Sequence, residues 1–242
     1  MRDFLYEFIT SLPFKKKRKW ITIINNFRTF GRTSDLNLLA GVFKTDKYGT
    51  HNYTQHYKTH FSKIRGNSIK LLEIGVGGYE NPYQGAGSLR MWKRFFRNGE
   101  IYAIDIYDKS RLQEPRIHIF QGSQNDIEFL SRIISEIGEL DIVIDDGSHI
   151  NSDVITSFEY LFPKLKKGGM YVVEDTQTSY WSDYGGSMEK LYSEKTTMGY
   201  FKSLVDGLNH KEFPIKPYNP SFFEKNISCI HFYHNLIFIC KT

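Results

Sequence analysis

KLLEIGVGG (70–78) is a short apolar run that ends in a glycine loop, and the segments after it repeat a strand-then-helix rhythm. SLRMWKRFF (88–96) reads as helix, EIYAIDI (100–106) and RIHIFQG (116–122) as strands, and DIEFLSRIISEIG (126–138) as helix. LDIVIDD (140–146) is a strand, HINSDVITSFEYLFPKL (149–165) a helix and GMYVVED (169–175) another strand. This alternation predicts a parallel, doubly wound α/β sheet with helices on both faces. The last two apolar runs, NISCIHFY (226–233) and LIFICKT (236–242), leave no room for a helix between them and predict an antiparallel hairpin turning at His234-Asn235. In that register, positions summing to 469 face each other, so Cys229 opposes Cys240. Seven strands are expected, the last two antiparallel.

The chain has 242 residues, 40% of them hydrophobic and 16% aromatic. That is enough apolar surface for one large α/β domain or two small ones, and it excludes a largely disordered chain. No apolar stretch reaches the length needed to cross a bilayer. In MRDFLYEFITSLPFKKKRKW (1–20) the charges follow the apolar part, the reverse of a secretory signal, so a cytoplasmic location is expected. Two cysteines make neither a disulfide framework nor a structural zinc site, and are read as packed thiols. The net charge of +5 is local: up to Asp35 there are eight basic and three acidic residues, and the remainder carries 24 of each. The body is electrically neutral and gives no support to nucleic-acid binding. Residues 1–40 read as a basic helical arm, an amphipathic helix, a basic turn and a second helix with Pro13 as the break, and 41–242 as the main domain. The KKKRKW run (15–20) reads as a solvated helix end or as a peripheral membrane or partner contact.

Two constellations carry chemistry. Glu73, Gly75, Gly77 and Gly78 stand at the end of the first strand, where glycine lets the backbone turn tightly and approach a ligand. Asp105 at the end of the second strand suits the hydroxyls of a ribose. A dinucleotide fingerprint wants a helix directly after its glycines. Here YENPYQGAG (79–87) intervenes, which favours S-adenosylmethionine over NAD. A purely structural glycine turn is the plain alternative. The second constellation is Asp145-Asp146-Gly147-Ser148-His149 after the fourth strand and Glu174-Asp175 after the fifth. Neighbouring parallel strands open on one edge, so Asp146, Glu174 and Asp175 can converge on a hard cation such as Mg²⁺ or Mn²⁺. Any one of these acids alone would more often be a helix cap; it is their clustering on two neighbouring strand ends that points to a cation. His149 follows three residues after Asp146, near enough to act as a base.

LLEIGVGGYENPYQGAGSLRMWKRFF, IYAIDIYDKS, DIVIDDGSHINSDV and YVVEDTQTSYWSDYGG resemble the metal-dependent sugar O-methyltransferases of macrolide biosynthesis, the mycinamicin and macrocin type, from about Thr45 to Gly186. The resemblance implies a Rossmann-like class I methyltransferase fold, with S-adenosylmethionine as methyl donor. It implies metal ligands at Asp146, Glu174 and Asp175 and a general base at His149. Gly75, Gly77 and Ser88 would line the methionine moiety, Asp105 the ribose and Ser123-Gln124 the adenine, with Glu73 and Asp145 in the same cofactor set. TDKYGTHNY (45–53) looks like the segment that folds over the cofactor. One departure is plain: the mycinamicin enzyme carries a large N-terminal domain, and this chain has a short basic arm, so acceptor and assembly are not carried over.

The expected reaction is methyl transfer to a hydroxyl of a sugar or glycoside, with Tyr180, Trp181 and Tyr184 as candidates for an acceptor wall. Other readings keep the methyltransferase but change the acceptor to a phosphoramidate, a phosphate-linked oxygen, a catechol or another small molecule. An NAD-dependent oxidoreductase and a non-catalytic adaptor are the readings from other classes. A homo-oligomer is expected, and nucleic acid is not.

Overall fold

A computed structural model describes residues 9, 11–215 and 217–242. The helix expected before Pro13 lies outside the described residues, apart from Ile9 and the two residues that precede the proline. Seven strands form one sheet: β1 (Lys70–Ile74), β2 (Glu100–Asp105), β3 (Ile117–Gln121), β4 (Leu140–Asp145), β5 (Leu165–Glu174), β6 (Ile227–Tyr233) and β7 (Leu236–Lys241). Their order is β3-β2-β1-β4-β5-β7-β6. The first five are parallel to their neighbours, and β7 enters antiparallel between β5 and β6. This is the class I methyltransferase arrangement.

The parallel strands are apolar throughout because helices cover both faces. Leu71, Ile142, Ile144, Val172 and Phe238 pack on one side with Tyr57, Phe61, Trp92 and Phe95. Leu72, Ile74, Val143, Tyr171 and Val173 pack on the other with Phe129, Phe158 and Phe162. Helix Ile127–Ile137 starts where Asp126 accepts the Phe129 amide at 3.0 Å, and ends at Gly138, whose φ of 78° a side chain would resist. Asp35 caps helix Leu36–Phe43 in the same way, through the Leu38 amide.

β5 begins at Leu165, four residues earlier than its apolar run suggests, because Leu165 already pairs with Leu140 ahead of a register shift. The hairpin follows the expected register: Cys229 opposes Cys240, and Ile230 opposes Ile239. Asn235 takes the left-handed turn position with φ 57°. Both cysteines are free thiols, and burial pushes Cys240 up to about 12. The arm contributes the helix Phe14–Arg28, and the next helix, Leu36–Phe43, places Leu36, Leu39 and Ala40 in the core. No described helix is long and apolar enough to cross a membrane.

Candidate active site

The register puts the carboxyl ends of β1, β2, β4 and β5 side by side. The Gly75 amide donates to Ile104 O at 2.8 Å and the Asp146 amide to Ile74 O at 3.0 Å, so both loops are pinned across strand ends. Gly75 has φ 94°, and a Cβ there would lie 2.1 Å from Asp146 O. Gly78 and Gly85 close the loop on itself, since a Cβ at either would meet backbone within 2.6 Å. Gly77 differs: its φ is 78°, but a Cβ would face open space. That contrast marks the floor of a cradle rather than a packed turn, and it fits close approach by a ligand.

Beside this loop, Asp105 spends its carboxylate on the chain itself, accepting Val76 N and Tyr107 N at 2.9 Å each. Glu73 lies fully buried one strand over. Its oxygens have no hydrogen bond of good geometry, the nearest cation being Lys47 Nζ at 3.4 Å. Burial drives its pKa up to about 7, against the pull of Lys47, with the Asp146 charge adding to the rise. Ser88, on helix Gly87–Phe95, faces the same carboxyl. Ser123 bonds Asn125 Oδ1 at 2.8 Å. Gln124 and Asp145 are interior: Asp145 is bound by Ser157 Oγ at 2.6 Å, Tyr171 OH at 3.1 Å and the Gln124 amide. Burial raises Asp145 to about 6. Gln124 Oε1 in turn accepts the Ser148 amide at 2.7 Å, so this network holds the DDGSH loop from beneath.

Asp146, His149 and Asp175 each bring a ligand atom within 4.8 Å of the other two. His149 Nε2 stands 3.9 Å from Asp146 Oδ1 and 3.8 Å from Asp175 Oδ2. These gaps exceed a hydrogen bond, and two carboxylate oxygens face one space, as suits a small hard cation. His149 and Asp175 both sit in the left-handed region, φ 56° and 53°. Non-glycine residues take that conformation at a cost and are held there by their surroundings.

Glu174 is placed differently from its two expected partners. Both of its oxygens accept from Lys47 Nζ, at 2.7 and 2.8 Å, and Oε1 also accepts the Tyr57 hydroxyl. The same Nζ reaches Asp146 Oδ2 at 2.7 Å, so Asp146 turns one oxygen to Lys47 and the other to His149. Burial alone would push the Lys47 ammonium down. Asp146, Glu174 and Glu73 outweigh it and hold it well above its ordinary range. Asp175 Oδ1 accepts the Tyr53 hydroxyl at 2.7 Å, which leaves Oδ2 for the open space.

Lys47, Tyr53 and Tyr57 are the residues the sequence left unassigned. Two of them belong to TDKYGTHNY, the segment expected to fold over the cofactor; it reaches the acidic edge, where Lys47 and Tyr53 make the contacts that the sequence left unassigned. Asn151 is another. Fully buried, it donates to Thr178 O and Tyr184 O and accepts the Thr197 amide, tying the 176–186 loop to helix Thr197–Ser203. In that loop Trp181 is half exposed and its ring centroid is 5.9 Å from Tyr184.

Two glycine substitutions separate fold from cradle. Gly75→Ala is expected to cost more than ~2 kcal/mol in a thermal melt, because backbone must move. Gly77→Ala is expected to cost about 1 kcal/mol, yet to weaken S-adenosylhomocysteine at least tenfold by calorimetry, its methyl standing where a ligand would. Unchanged affinity in Gly77→Ala would refute the cradle.

No protein-family profile matches this chain. It is 49% identical over 212 residues to mycinamicin VI 2''-O-methyltransferase of Micromonospora griseorubida, a match covering 87% of this chain and 53% of that protein. It is 48% identical to 8-demethyl-8-alpha-L-rhamnosyl tetracenomycin-C 2'-O-methyltransferase of Streptomyces olivaceus, covering 86% and 55%. Among solved structures, MycE methyltransferase from the mycinamycin biosynthetic pathway, in complex with Mg and SAH, superposes with a TM-score of 0.83 at 49% identity. That match covers 86% of this chain and 53% of MycE. The chain spans about half the length of these relatives. Over most of its length, in sequence and in fold, the chain is similar to these mycinamicin and tetracenomycin O-methyltransferases.

Proposed function

We propose that the protein transfers a methyl group from S-adenosylmethionine to a hydroxyl of a sugar or glycoside, with a divalent cation in the site. The observation that carries this reading is the Asp146–His149–Asp175 cluster at the open ends of β4 and β5, beside a glycine cradle on β1. It is supported by the related MycE, whose solved complexes contain Mg, SAH and mycinamycin VI.

Gly75 and Gly77 shape the cofactor cradle, Ser88 and Glu73 face its β1 side, and Asp105 holds the loop amide of Val76 in place. Ser123 stands at the far end, after β3. Gln124 and Asp145 support the floor through Ser148. Asp146 and Asp175 would hold the cation directly. Glu174 lies next to them in the same acidic group, held by Lys47 and Tyr57. When bound, the cation supplies a positive charge that orients acceptor oxygens and lowers the pKa of the one to be methylated. His149 would take the hydroxyl proton on Nε2. Asp146 and Asp175 flank that nitrogen and would stabilise the imidazolium that results. No covalent enzyme intermediate is required; orientation and electrostatics supply the rate. Trp181 and Tyr184 present ring faces suited to a sugar.

Calorimetric titration with S-adenosylhomocysteine and with NAD, each with EDTA or Mg²⁺, tests the reading. S-adenosylhomocysteine is expected to bind and NAD not to bind. Binding of NAD alone would overturn it.

A further inference from the structure

The helix Phe14–Arg28 packs Phe14 on the core at its start, but toward its end it buries polar groups and exposes apolar ones. Asn25 and Thr29, one turn apart, are buried against the body, where Arg94 Nε donates to Thr29 Oγ1 at 2.8 Å and Arg94 Nη2 to Asn26 O at 3.1 Å. Facing water are Trp20, Ile23 and Phe27, with Phe30 just beyond the helix end; Phe27 and Phe30 are each 83% exposed. Spacings of three and four put the first three on one stripe. Exposed Lys15, Lys16, Lys19 and Arg28 flank it. A helix that only covered the protein core would be oriented the other way round.

Under the same helix lies a cavity of about 560 Å³ lined by Arg90, Lys93, Arg94, Arg97 and Arg116, with Glu114 the one carboxylate in its lining. Glu114 is taken up by Arg18 at 2.7 Å and Lys93 at 3.1 Å. Among the described residues no carboxylate pairs with Arg94, Arg97 or Arg116. Burial, and then the Arg97 charge, hold Arg94 and Arg65 below the usual guanidinium range. Clustered guanidinium groups of this kind suit an anion with several oxygens. Phe30 belongs both to the cavity lining and to the exposed apolar surface.

We propose that this face docks on an anionic phospholipid surface, with a lipid phosphate in the arginine-lined cavity and Trp20, Ile23, Phe27 and Phe30 in the headgroup–acyl boundary. A phospholipid joins an anionic phosphate directly to an apolar chain, as Phe30 joins the cavity lining to the exposed apolar surface. A second copy of the chain fits less well, because an isologous contact brings the same exposed Lys15, Lys16, Lys19 and Arg28 toward the arginine-lined cavity and supplies no anion to it. The proposal is independent of the reaction at the sheet edge.

The test is co-sedimentation of the whole chain with vesicles of phosphatidylcholine alone and of phosphatidylcholine with phosphatidylglycerol. Binding is expected to be at least about tenfold stronger to the anionic vesicles and to fall with added salt. Phe27→Ser with Phe30→Ser is expected to weaken it about tenfold at an unchanged melting temperature, since both side chains are exposed. Arg97→Ser should weaken it as well while leaving S-adenosylhomocysteine affinity unaltered. Equal binding to both vesicle types, or no loss in the phenylalanine double variant, overturns the proposal. So does a dimer in sedimentation velocity that dissociates in that variant without vesicle binding, which assigns the face to a second copy. Stabilisation by inorganic phosphate with no vesicle binding also overturns it, leaving a free-anion site.

Discussion

Lys47→Met is expected to lower the melting temperature by roughly 6–20 °C, the largest stability effect of any single substitution at the site. Lys47 is buried without solvent contact, and its ammonium is the shared partner of Glu174, Asp146 and Glu73. Removing one member of a buried ion cluster costs about 3–5 kcal/mol, because the remaining charges are left without compensation. A domain of this size loses about 2–4 °C per kcal/mol. Methionine keeps the apolar stem, so the loss reports the charge. Added Mn²⁺ should recover more of the melting temperature in Lys47→Met than in the parent, since Asp146 Oδ2 and Glu174 are freed. A variant melting within about 2 °C of the parent would show that the cluster is not held by this lysine.

His149→Asn should reduce the methyl-transfer rate with a glycoside acceptor by about 10²–10⁴, the range attributed to a general base. Asparagine tolerates the left-handed backbone that His149 adopts, so the substitution removes the imidazole without distorting the DDGSH loop. S-adenosylhomocysteine affinity and melting temperature should stay close to those of the parent, which separates a lost base from a lost fold. Full turnover in His149→Asn would remove His149 from the reaction. In that event Asp146 and Asp175 would remain as a cation pair served by another base.

These outcomes bear on how much could be read from the chain before it folded. Strand identity was legible because the parallel strands are buried on both faces and so appear as unbroken apolar runs, LLEI and IVID among them. Hairpin register was legible because a two-residue turn leaves one pairing, and Cys229 faces Cys240 accordingly. The edge that carries chemistry was legible too, since acids and glycines directly after parallel strands must gather on one side. By contrast, the start of β5 was hidden by Lys166, Lys167 and two glycines, which lie in the irregularity between the Leu140–Leu165 and Ile142–Met170 pairs, so only the pairing of Leu165 across to β4 reveals it.

By itself, then, the sequence determined the sheet, its order of strands and helices, and the edge at which Asp146, His149, Glu174 and Asp175 meet. The tertiary structure alone decided how those acids are divided. Lys47 comes from a loop 99 residues before Asp146 and 127 before Glu174, and no periodicity or spacing couples such distant positions. Its ammonium and the Tyr57 hydroxyl engage Glu174, while Asp146 and Asp175 keep an oxygen each toward His149. The direction of the arm was likewise decided only in three dimensions. The basic run 15–20, expected as a turn, lies inside the helix Phe14–Arg28; Arg94 recruits Asn26 and Thr29 to the body, and that leaves Phe27 facing outward. Local pattern sets which residues share a face; which face is buried depends on the partner it meets.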